Sequence, residues 1–75
     1  MTGTYVVTPA DTRVPPIRAT AVDQFDLGQQ VAVHLTRHRR LVRGVTYDAQ
    51  IGDDWGQITQ PGLRAPLTFS IAKEG

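Results

Sequence analysis

The chain has 75 residues and no cysteine, which excludes a disulfide framework and any thiolate metal site and leaves a small core. Its net charge of +1 is too close to neutral to announce a polyanion binder by total charge alone. No apolar run approaches the ~20 residues that span a bilayer. The N-terminus has no basic region followed by an apolar core, so no signal peptide is expected and the expected setting is cytoplasmic.

The chain reads as one small β domain over residues 1–75, with 1–3 and 73–75 frayed. Thr4–Thr8 is β-branched and aromatic and reads as a strand ended by Pro9. Residues 10–16, with the Pro15–Pro16 pair, read as an extended loop. Ile17–Val22 is expected to be a second strand. Its rival is a helical turn from Thr20, with Asp23 completing an imperfect capping box and Val22 and Phe25 sharing a face. Phe25–Gly28 reads as a turn whose Phe25 and Leu27 plug the end of the core.

The stretch 31–47 is the expected centre of the molecule. Val31, Val33 and Leu35 alternate with Ala32, His34 and Thr36, the period of two that marks a half-buried strand. Val45 and Tyr47 continue the alternation on a return strand that includes the adjacent Leu41 and Val42. Gly44 there is a plausible bulge. The two strands would meet at a loop over Arg37–Arg40. Beyond Tyr47, Asp53–Gly56 gives a strong turn signal, Gln57–Gln60 a short strand stopped by Pro61-Gly62, and Leu67–Ile71 an alternating strand. About five short strands with Gly and Pro between them predict an all-β fold, a small SH3-like partly open barrel or a compact sandwich.

Charge is distributed unevenly along this chain. Between Leu27 and Tyr47 there is no acidic residue, but there are Arg37, Arg39, Arg40 and Arg43 with His34 and His38. The acids lie on either side, at Asp11, Asp23, Asp26, Asp48, Asp53, Asp54 and Glu74. Guanidinium groups match phosphate and carboxylate oxygens in charge and geometry. The hairpin is therefore expected to present Arg37, His38, Arg39, Arg40 and Arg43 to an anionic partner, nucleic acid or an acidic protein surface. The bland alternative is a solvated loop that stops edge pairing. Trp55, beside the acidic turn, is either a lid on the core or an exposed binding anchor.

Catalytic and metal-binding signals are weak. His34 and His38 are four apart, a spacing that gathers two ligands only on a helix, and here they are expected to straddle a strand and its turn. Asp53 and Asp54 suit a turn and lack EF-hand spacing. The one serine, Ser70, sits inside an alternating strand without a nucleophile elbow, and no phosphate-cradling glycine motif is present. The expectation is thus a non-enzymatic interaction module without cofactor, metal or small-molecule substrate. The rival is an assembly protein, a homo-oligomer or a phage or mobile-element component, that uses its sheet edges and Trp55.

Residues Phe25-Asp-Leu-Gly-Gln-Gln-Val31, His34-Leu-Thr-Arg37 and Val42-Arg-Gly44 are similar to the opening of some SH3-like barrels, such as the small-barrel domain of nitrile hydratase β subunits. The resemblance implies an SH3-like barrel for the fold and brings no active-site residues with it.

Overall fold

A computed structural model describes residues 2–74. Its elements in chain order are β1 (Gly3–Pro9), β2 (Ile17–Ala21), α1 (Gln24–Arg37), β3 (Asp48–Ile51), β4 (Trp55–Thr59) and β5 (Leu67–Glu74). The five strands form one antiparallel sheet in the order β2-β1-β5-β4-β3, curled into a half-barrel with the helix laid against it. The mostly-sheet, five-strand expectation therefore holds. The strands themselves are not all the expected ones.

The expected hairpin over 31–47 is absent: Val31–Arg37 is the second half of α1, and the following residues form a connection to β3. The physical reason is a second periodicity in the same residues. Leu27, Val31 and Leu35 are four apart, and Gly28 and Ala32 follow the first two, giving one buried stripe at helical spacing. Val33, read as core in the strand, is 51% exposed. The resemblance to SH3-like openings falls with the hairpin, because its residues lie on a helix and a loop. Phe25 is likewise not a plug but a side chain 75% exposed in the first helical turn, while Leu27 is buried.

The helix starts where its caps place it. Asp23 is the N-cap, and its carboxylate accepts from the Asp26 amide at 2.7 Å. The Asp26 carboxylate in turn accepts from the Val22 amide at 3.1 Å, a reciprocal arrangement of the capping-box kind three residues after the one sought at Thr20. Ile17–Ala21 is a strand, as expected, and no helical turn starts at Thr20, which lies within β2.

Side chains alternate across the sheet. Val7, Ala19, Ala21, Ile58, Phe69 and Ile71 point inward and meet Leu27, Val31 and Leu35 of the helix. Each large aliphatic group so buried contributes roughly 1.5–3 kcal/mol. Gly56 lies opposite Phe69, whose ring covers it so closely that a Cβ there would collide. The helix bridges the two sheet edges, packing on β2 and β3. The Gln30 amide donates to the Thr20 carbonyl at 2.9 Å on one side. On the other, Gly28 faces Ala49 and Ile51.

The ends are more ordered than expected. Gly3 pairs with Ala21, while Lys73 and Glu74 pair with Tyr5 and Thr4; Met1 and Gly75 lie outside the described residues. Among the described residues no helix is long and apolar enough to cross a membrane.

Candidate functional site

The arginines gather not at a hairpin tip but at the C-terminal end of α1. The last helical turn carries Arg37, and His38 is the C-cap. Two backbone bonds close the end: the Arg39 amide donates to the Thr36 carbonyl at 3.0 Å, and the Arg40 amide to the Leu35 carbonyl at 2.9 Å. These are the two bonds of a Schellman motif, which requires a left-handed residue just past the cap. Here that residue is Arg39, with φ of 60°. Glycine is favoured at this position because a Cβ is strained there. The chain instead holds a long cation in the strained position and leaves it exposed.

The four arginines differ in their ties. Arg40 is half-buried and lies 3.4 Å from the Asp11 carboxylate, with its Nε donating to the His38 carbonyl at 3.3 Å. Asp11 is also held by Arg13, which donates to it from Nε, Nη2 and its backbone amide. These Arg13 hydrogen bonds first, and the charges of Arg13 and Arg40 after them, hold the Asp11 carboxyl below its ordinary value of 3.8. Among the described residues no ion pair engages Arg37, Arg39 or Arg43, and all three are exposed. The basic end therefore has three unrestrained guanidinium groups and one anchored one.

The helix also restores the spacing argument for the histidines. His34 and His38 face each other edge to face, with ring centroids 4.6 Å apart. His34 Nε2 is bound to the Pro15 carbonyl at 2.7 Å, so it ties the helix to the 10–16 loop. Among the described residues no group of three or more potential ligands is positioned to hold a metal ion. Trp55 begins β4, is 48% exposed and lies over Gly52. It is outside the core cluster, and the lid reading does not describe it.

Gln60 matters more than its sequence context suggests. Its buried side chain accepts from the Val42 amide at 2.9 Å and donates to the Val42 and Val45 carbonyls at 2.9 and 3.1 Å. Those bonds fix the segment that carries Arg43. Nothing in the Gln57–Gln60 strand pattern distinguishes this glutamine from its neighbours, since its partners lie more than ten residues earlier in the chain.

Compared with known proteins, the chain matches no family model, no curated protein and no solved structure.

Proposed function

We propose that the protein is a non-enzymatic interaction module that presents Arg37, Arg39 and Arg43 at the C-terminal end of α1 to an anionic partner, nucleic acid or an acidic protein surface. One observation carries this reading. Arg39 occupies a left-handed position at which glycine is favoured, and its side chain is exposed with no ion pair among the described residues. A backbone cost kept at an exposed cation is the kind of local strain that marks a used site. The cations also lie at the negative end of the helix dipole, which lowers the cost of gathering them before a partner arrives.

The test is a fluorescence anisotropy titration with a labelled DNA duplex and with polyglutamate at two salt concentrations. With three cations engaged, the log–log salt slope on the duplex should not exceed about −3. The Arg37→Ala, Arg39→Ala, Arg43→Ala variant should bind at least about tenfold more weakly. Arg64→Ala, a single exposed cation elsewhere, serves as the control. Equal binding by parent and triple variant would contradict the proposal.

A second reading, a structural or assembly protein, draws support from β2 and β3, which pair with no further strand among the described residues on their outer sides, and from half-exposed Trp55. It requires a mass in solution that rises with concentration.

A further inference from the structure

The basic end of α1 opens into a groove. Phe25, Gln29, Val33 and Arg37 succeed one another at four-residue steps and form one row along the helix. The segment 42–48 runs opposite. Two clefts of about 400 and 360 Å³ lie between them and share Tyr47 as a common wall. Among the described residues, five of the seven large apolar side chains left exposed line these clefts: Phe25, Val33, Val42, Val45 and Tyr47. Concentration of exposed apolar surface in one concave place, with a wall pinned by Gln60, marks a docking surface rather than scattered exposure.

Charge selects the occupant. Arg37 and Arg43 both line the second cleft, and no carboxylate does. A fitting segment must bring carboxylates and a large apolar side chain together. A nucleic acid strand suits the groove less well. Tyr47 offers one π-face, but the walls beside the arginines are otherwise mostly valines, and Asp48 in the first cleft interrupts a phosphate track.

The chain carries such a segment itself. Asp53, Asp54 and Trp55 are consecutive and exposed at the turn between β3 and β4. That turn stands at the other end of the helix, since Gly52 and Asp53 line a cleft with Asp23 and Gln24. At 1.5 Å per residue, the 14-residue helix separates the acidic and basic poles by about 21 Å. Behind the net charge of +1, the N-terminal end of the helix gathers Asp23, Asp53 and Asp54 beside Lys73, and the C-terminal end gathers Arg37, Arg39, Arg40 and Arg43 beside Asp11.

We propose that the partner of the groove is a second copy of the chain, whose Asp53-Asp54-Trp55 turn enters it beside Arg37 and Arg43. The inference rests on the anionic-partner reading above and names the partner. The turn stands at the N-terminal end of α1 and the arginine-lined second cleft at its C-terminal end, so the contact is heterologous, and copies add head to tail rather than closing as a two-fold dimer.

Light scattering coupled to size exclusion on the full chain tests this. The mass should rise with concentration and fall towards the monomer as salt screens the poles. Arg37→Glu with Arg43→Glu, and separately Asp53→Lys with Asp54→Lys, should each run as a monomer. Mixing the two charge-reversed proteins should restore association, because each then offers what the other lacks; this rescue also shows that both are folded. Trp55→Ala should weaken association about tenfold. A monomer at every concentration, an oligomer indifferent to both reversals, or a mixture without rescue would overturn the inference. A monomer that still binds polyglutamate or duplex DNA through its arginines overturns the second-copy partner but leaves the proposed function standing. One that binds neither overturns both.

Discussion

The two sides of α1 carry similar residues and do different things. On one side Leu27, Val31 and Leu35 are buried against the half-barrel. On the other, Phe25 and Val33 are exposed in a row that ends at Arg37. Propensity does not separate the two, because valine stands on both. What separates them is whether the sheet supplies a surface. The inner side spends its apolar area on folding, and the outer side leaves its area available. A helix that only needed to fold would place polar residues where Phe25 and Val33 stand.

The largest way to break this contrast is truncation on each side. Leu35→Ala should lower unfolding free energy by about 2–5 kcal/mol, the cost of a cavity beside Ile58 and Val31. Val33→Ala, on the outer side, should stay within about 0.5 kcal/mol in the same denaturant titration. Equal losses at both positions would mean that the two sides are not distinct. Next in size is Gln60→Ala, which removes the side-chain bonds to the Val42 amide and to the Val42 and Val45 carbonyls. It should cost about 1–3 kcal/mol and speed amide exchange at Val42. Undisturbed exchange there would show that the groove wall is held by something else.

A smaller effect sharpens the contrast between Arg40, held at Asp11, and its unrestrained neighbours. The folded Asp11 carboxyl titrates below its ordinary value of 3.8, chiefly through its hydrogen bonds with Arg13. Its contribution to stability is therefore present above about pH 3.8 and is lost as pH falls through the lowered folded value. Asp11→Asn should flatten that acid limb in thermal melts taken from pH 5 to pH 2, the range in which a carboxylate so shifted titrates. An unchanged limb would remove Asp11 from the account. Because Asp11 is only half-buried, solvent screens its charges and the effect should be small.

Strands β1, β2, β4 and β5 were legible in the sequence because nothing competed with their alternation, whereas β3 was not. Thr4–Thr8, Ile17–Val22, Gln57–Gln60 and Leu67–Ile71 all lie within or across strands of the sheet. The stretch 31–35 was ambiguous because Val31 and Leu35 fit both a period of two and a step of four, and Val33 tipped the count. Extending the window back to Leu27 favours the helix, and so does the Asp23–Asp26 pair. For the site, the arginines were visible as a run of charge, but their division was not. Asp11 and Gln60 are distant in sequence from what they hold, and no local pattern announces either partnership. The left-handed backbone at Arg39 was equally hidden, since arginine gives no sign of it.

That residue allows the most direct test of the central claim, that the C-terminal end of α1 is built to present charge at some cost to stability. Arg39→Gly should be measured by thermal unfolding and by polyanion binding on the same preparation. Relief of the left-handed strain should stabilise the protein by about 0.5–1 kcal/mol, raising Tm by roughly 3–6 °C. Binding should weaken at the same time. A destabilised protein, or a stabilised one that binds as before, would contradict the account.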